Sequence, residues 1–310
     1  RGETIDEHRD RVSKLWETFN RVACENPYSW VQNPMTAEEI RDPGTSNRLV
    51  GFPYTKAMNS NWDLDQAAAL IVCSAEAAEA AGVPRDRWLF PHSGTDGADT
   101  NFVSNRADLH SSPAIRVAGR KAMALAGVTP DDIDHIDLYS CFPSAVQIAA
   151  TEMELGLDRQ LTQTGGLTFA GGPLNNYVTH SIATMANVLR EDAGTTGLCS
   201  ANGGYITKHA FGLYSTNPPS NGFQHEDCQV EIDAFPSVDL DAEHVGSGTI
   251  EAYTVMHGAD GPERGLASVR TPNGRQWAGT SDLPLMESMM TEEHVGRSVE
   301  VLPDFSFELV

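Results

Sequence analysis

Lysine is nearly missing from this chain: only Lys14, Lys56, Lys121 and Lys208 occur among 310 residues, and arginine supplies the other cations. Against 21 basic residues stand 43 acidic ones, for a net charge of −22. A polyanion of this size repels phosphate backbones, so nucleic acid is excluded as a partner class. No apolar run approaches the roughly 20 residues that a bilayer-crossing helix requires, so no membrane span is expected. The opening "RGETIDEHRD" lacks the apolar stretch of a secretory signal and an initiator Met, which suggests a processed or partial chain. The five cysteines (Cys24, Cys73, Cys141, Cys199, Cys228) are odd in number and scattered, without a CxxC pair or a Cys/His cluster of zinc spacing. They read as free thiols in a reducing compartment, the cytoplasm, and no metal site is expected. GxSxG, HExxH, EF-hand and Walker A patterns are missing too.

What is present falls into three textures, read as domains 1–61, 62–218 and 226–310. The first is loop-rich, with one helical stretch, "IDEHRDRVSKLWETFNRVACE", whose Val12, Leu15, Trp16, Phe19 and Val22 recur at helical spacing. The second alternates strands and helices. "AAALIVCS" suits a strand buried on both faces, and "AEAAEAAGVP" a short helix stopped by Gly82 and Pro84. "SSPAIRVAGRKAMALAGVTPDD" is a stronger helix: Ser112 caps it, Pro113 fits its first turn and Gly127 ends it. "HIDLYS" then reads as a strand, "PSAVQIAATEMELG" and "HSIATMANVLRED" as helices, and "TTGLCSANGG" with "YITKHAFGLYS" as paired strands. This is an α/β pattern. After a linker-like "TNPPSNGFQHED", the third texture alternates as strands in "QVEIDAF", "GSGTIEAYTVMHG", "GLASVRTPNGRQWAGTS" and "GRSVEVLPDFSFELV", a small β-barrel or sandwich of the OB type.

Chemistry concentrates at three places. Cys141 sits between a strand end and a helix start, where unpaired N–H groups favour a thiolate and lower its pKa; a buried corner residue is the competing reading. Tyr139 lies two residues earlier on the same strand face. "GGLTFAGGPLNN", with Gly171 and Gly172, and "CSANGGYI", with Asn202, Gly203 and Gly204, are loops whose amides can approach a ligand or an oxyanion, or else pack tightly. His135, His180 and His209 are the nearby histidines open to a general-base role.

In order and spacing these pieces resemble the thiolase superfamily. "AAALIVCSAEAAEAAGV" is similar to the strand and helix closing a thiolase's first half. The unit ending in "HIDLYSCF" resembles the one ending in the family's Asn-Glu-Ala-Phe motif, or His-Asp-Cys-Phe in sterol carrier protein-type thiolases. "GGLTFAGGPLNN" resembles the Gly-His-Pro loop, "GLCSANGGYI" the Cys-x-Gly-Gly loop, and the third texture the additional C-terminal domain of thiolase-like proteins of type 1. The resemblance implies the C-terminal half of a thiolase fold, a mixed sheet with helices on both faces, preceded by a loop domain and followed by a small β domain. It implies acyl-CoA or coenzyme A as substrate, no covalently bound cofactor, and Cys141 as the thiol that moves a proton.

The departures from the pattern shape the expected activity. Tyr139 and Ser140 replace the first two motif residues, Gly172 replaces the Gly-His-Pro histidine, and Cys199 lies out of register with Gly203 and Gly204. The resemblance places the nucleophilic cysteine in a preceding half that these residues do not contain. A companion half, in the same or another chain, is therefore expected, and a homodimer is possible. Three readings stay open: an acetyl-CoA acetyltransferase-type acyltransferase of weak or altered activity, a retro-aldolase of the lipid-transfer type using Tyr139, and a non-catalytic CoA or acyl-CoA binder.

Overall fold

The computed structural model describes residues 2–310; Arg1, the first residue of the expected loop domain, lies outside the described residues. Thr4 opens helix α1 (Ile5–Glu25) by accepting from the Glu7 amide, while the Glu7 carboxylate accepts from the Thr4 amide. The apolar stripe of α1 buries Val12, Leu15, Trp16 and Phe19 as its spacing predicts. A second capping box, Thr36 with Glu39, adds a short helix α2 (Ala37–Arg41) within the loop-rich stretch. Strands β1 (Leu49–Gly51) and β2 (Tyr54–Thr55) follow.

Residues 67–74 depart furthest from expectation. They form no strand, and Ile71 is 95% and Val72 90% exposed. An apolar extended run is buried only where a sheet pairs its backbone and covers its faces. Neither sheet of the described residues includes this segment. Helix α3 (Ala75–Ala80), capped by Ser74, comes directly after it.

The central layer is built from β3 (Phe90–Ala98), α4 (Pro113–Ala126), β4 (His135–Asp137), α5 (Pro143–Glu152), α6 (Gly166–Phe169), α7 (Tyr177–Glu191), β5 (Thr196–Gly203), β6 (Lys208–Ser215) and β7 (Gln224–Asp227). The strands run β4-β5-β6-β3-β7, with β4/β5 and β3/β7 parallel and the two inner pairings antiparallel. Alternation along β5 and β6 divides the core. Leu198, Phe211 and Leu213 meet Ile115, Ala118 and Val146 of α4 and α5, while Cys199 on the opposite face meets Met185 and Leu189 of α7. Helix α4 has the predicted ends: Ser112 accepts from the Ile115 amide, and Gly127 closes it at φ 72°. The expected linker contains β7, whose "QHED" joins this sheet. The expected strand "QVEIDAF" is instead helix α8 (Gln229–Ile232), because the Gln229 amide pairs with the backbone of Ala98 and turns the chain off the sheet edge.

The last part contributes β8 (Gly246–His257), β9 (Pro262–Thr271), β10 (Gly274–Thr280), α9 (Leu283–Thr291), β11 (Ser298–Val301) and β12 (Phe307–Leu309). They form one antiparallel sheet that also takes in β1 and β2, with Gly51 paired to Met256. Met286 and Met289 of α9 pack on it. Fully buried Arg275 bonds Glu251 and donates to the Val103, Ser104 and Arg106 carbonyls, so this sheet is tied to the loop after β3. No helix of the described residues is long and apolar enough to cross a membrane.

Candidate active site

The site begins at the end of β4, where the fold anchors a buried carboxylate. Asp137 accepts from the amides of Gln163 (2.8 Å) and Thr164 (3.0 Å), the hydroxyls of Thr162 and Thr164, and the Tyr177 phenol (3.0 Å). Five donors compensate the loss of water around a charge that would otherwise be costly to bury. From there the Leu138 amide donates to Leu161, and the Tyr139 amide to Ser200 Oγ on β5. Ser140, at the motif's acidic position, is buried and accepts from the Leu167 amide at 3.1 Å, which fixes the corner to the start of the glycine loop.

Cys141 follows, one residue before the Phe142 cap of α5. Asn202 Nδ2 lies 3.5 Å from its Sγ, and its carbonyl accepts from Ser60 Oγ at 2.9 Å. The expected low thiol pKa is not what the site produces. Burial pushes the thiol up to about 11, outweighing the Asn202 amide and the backbone N–H of Phe142, which pull it down. A short helix start cannot offset the removal of water from a thiolate. Tyr139 stacks edge-on against Tyr177, with ring centroids 5.3 Å apart, and burial with the neighbouring Cys141 pushes its phenol up to about 12. Both groups are neutral at physiological pH. They can give a hydrogen bond or a proton, and neither serves readily as a base.

The glycine loop is held close by its backbone. α1 grips it from outside: Trp16 Nε1 donates to Thr168, and Gly165, at φ 101°, lets the loop lie against the Ala23 backbone. Gly172 donates to the Asn61 carbonyl at 2.7 Å and Gly171 to Gly166 at 3.3 Å. These amides are already engaged, so an oxyanion reaching them must displace a backbone bond. At the second loop, Asn202 is the residue that reaches Cys141, while Gly203 pairs with Lys208 at the end of the β5–β6 hairpin and Gly204 lies exposed in its turn. Cys199 faces α7 instead, and burial raises its thiol strongly.

Of the three histidines, His135 pairs with Asp192 at the surface, and His180 lies beside Asn176 on α7. His209 is buried opposite Asn202 on β6, with Asp99 Oδ2 3.8 Å from its Nε2. Sequence reasoning gave His209 no preference over the other two. The alternation His209, Phe211, Leu213 was the available signal, since it sets the imidazole on an inward face.

A mixed sheet layered by helices, a cysteine at a strand–helix corner and a glycine loop leading into a long helix define a thiolase-type fold. Residues 95–159 match the thiolase C-terminal domain-like family, and residues 227–305 the thiolase-like protein type 1 additional C-terminal domain. A monomeric SCP2-thiolase like protein type 1 from Mycobacterium smegmatis superposes with a TM-score of 0.89 at 34% identity, covering all of this chain and 69% of its own. The chain belongs to the SCP2-thiolase-like protein type 1 family. Among curated relatives, an acetyl-CoA acetyltransferase of Methanocaldococcus jannaschii is 36% identical over 129 residues, 41% of this chain and 31% of the relative. A 3-ketoacyl-CoA thiolase of Alcanivorax borkumensis is 30% identical over 188 residues, 58% of this chain and 44% of the relative. The chain thus spans less than half the length of these curated relatives.

Proposed function

We propose that this chain carries the proton-handling side of an acyl-CoA site and acts as a thiolase-like acyltransferase of low turnover. Cys141 is the proposed proton donor and Tyr139 a second donor to the thioester oxygen. Asn202 tunes the thiol, and Gly171, Gly172, Gly203 and Gly204 shape the walls. The observation that carries this reading is the Asn202–Cys141 contact beside a neutral phenol. It supports a site that offers donors, and no ready base, to a thioester. The names of the two curated relatives support acyl-CoA or coenzyme A as the substrate. The five unpaired thiols suit a cytoplasmic setting.

A non-catalytic acyl-CoA binder is the second reading, favoured by the engaged amide of Gly172 and the absence of an imidazole at that position. Removing one catalytic base or oxyanion donor costs about 100-fold to 10,000-fold in rate. The discriminating experiment mixes the full protein with acetoacetyl-CoA and CoA and follows the enolate absorbance. Slow loss that disappears in Cys141→Ala supports acyl transfer; binding of CoA without any loss supports the second reading.

The site is proposed to need a companion polypeptide, in cis or in trans, that covers residues 67–74. Burying Ile71 and Val72 is worth about 1.5–3 kcal/mol each, and burying the 40%-exposed Leu70 correspondingly less. Ile71→Asp with Val72→Asp should weaken association with that companion while leaving the fold of this chain intact. Unchanged association would remove the proposal.

A further inference from the structure

The β5–β6 ladder sets Asn202 directly opposite His209, so both side chains leave the sheet on the side of α4 and α5. Between them and the helices lies a cavity of about 10 Å³, lined by Tyr139, Asn202 and His209 together with Ile115, Ala149 and Phe211. That is about the space one water centre occupies, and too little for an acyl group. Asn202 Oδ1 and His209 Nε2 are both buried without a hydrogen-bond partner in the protein. Leaving a buried polar atom unsatisfied is costly, so two of them beside one small, mostly apolar cavity require an explanation.

Asp99 does not supply one. His209 is 5% exposed and Asp99 8%, yet the 3.8 Å between Nε2 and Oδ2 is too long for a hydrogen bond. The Asp99 carboxylate is instead engaged by Ser112 Oγ at 2.5 Å and the Ala114 amide at 3.0 Å. Arg106, the other charged group near the imidazole, spends its guanidinium on the Tyr205 and Ile206 carbonyls, and the backbone of Ile206 and Ala201 beside the ring leaves Nε2 without a hydrogen bond. A water has the right size and both hydrogen-bonding roles to serve a histidine and an amide oxygen together.

The consequence falls on Cys141. Asn202 Nδ2 lies on Sγ only while Oδ1 points the other way. A flipped amide would set a carbonyl oxygen against the sulfur and penalise the thiolate. We propose that one water bound between Asn202 Oδ1 and His209 locks the Asn202 amide with its N–H on Cys141 Sγ, which makes His209 a positioning residue for the thiol. This deepens the reading of Cys141 as the working thiol. Its test uses no acyl-CoA, so the two ideas fail separately.

The experiment measures iodoacetamide alkylation of Cys141 in the full chain against pH, read by mass spectrometry of the Cys141 peptide. Asn202→Ala should slow alkylation about tenfold or more at fixed pH below the thiol pKa, the worth of one hydrogen bond to a charged group. His209→Leu should slow it in the same direction, and the double variant should be no slower than Asn202→Ala alone. His209→Gln, which keeps a polar head at the cavity, should restore most of the rate. Wild-type alkylation in His209→Leu, or additive effects in the double variant, overturns the proposal. A high-resolution crystal structure of the wild type tests it without any variant. Density for one water within hydrogen-bonding distance of both groups supports it, and a dry cavity overturns it.

Discussion

Restoring the family's histidine should harm this protein rather than repair it. A Cβ on Gly172 would stand 3.2 Å from the Asn61 carbonyl oxygen, 3.4 Å from Ser60 Cβ and 3.5 Å from Leu167 Cβ. Nothing there yields easily. The Asn61 carbonyl accepts from Gly172 itself, the Asn61 amide donates to the Leu167 carbonyl at 3.0 Å, and Ser60 Oγ holds the Cys141 carbonyl. Gly172→Ala should cost under ~1 kcal/mol, since a few tenths of an ångström relieve its contacts. Gly172→His must also seat a ring, and overpacking of that kind costs about 1–3 kcal/mol. At a few degrees per kcal/mol, the melting temperature should fall by roughly 2–8 °C. Urea titration of the full chain should give a lower midpoint at unchanged slope. Because the strain passes through Ser60, Cys141 alkylation should change in Gly172→His and not in Gly172→Ala. A Gly172→His protein with wild-type stability and markedly faster thiolysis would refute this reasoning, because the imidazole would then have found room.

Gly165→Ala should cost more than ~3 kcal/mol by urea titration: its Cβ would stand 2.5 Å from Ala23 Cα at a φ of 101°, and neither backbone can give. Asp137→Asn should cost about 1–3 kcal/mol: its carbonyl oxygen can take the Oδ2 place, where four of the five donors meet, but its amide nitrogen then faces the Tyr177 hydroxyl that now donates to Oδ1; a near-neutral effect in the same assay would show that the Tyr177 hydroxyl turns to another partner. The Cys141 thiol, at about 11 against its ordinary 9.0, gives a signed pH dependence. Below pH 9 both folded and unfolded chains keep the proton, and the thiol's contribution is fully present. Between pH 9 and 11 the unfolded chain ionises first, so the contribution is lost, by up to ~2 kcal/mol. Wild type should therefore lose stability faster than Cys141→Ala over that window in matched urea titrations, and parallel profiles would contradict the buried thiol.

Much of the framework was legible because its signals act within a turn of chain. Ser112, Pro113 and Gly127 marked both ends of α4, and the "PNGR" turn marked the β9–β10 hairpin. The corner at Cys141 was legible for the same reason. The α9 helix carried such a signal as well, an Asp282 cap before Pro284, within a stretch whose neighbours read as strands. "QHED" resisted local reading, because its strand exists only through its ladder to β3.

The sequence by itself determined where α1 and α4 begin and end, which residues stand at the strand–helix corner, and that Gly172 replaces a histidine. Tertiary structure alone decided that Cys141 is a weak acid, that Asn202 is its partner from 61 residues away, and that Ser60 and Asn61 occupy the space beside Gly172. It also decided that residues 67–74 stand uncovered. The physical reason is range: caps and turns are set by neighbours along the chain. Desolvation, ladder pairing and steric room are set by residues that only folding brings near.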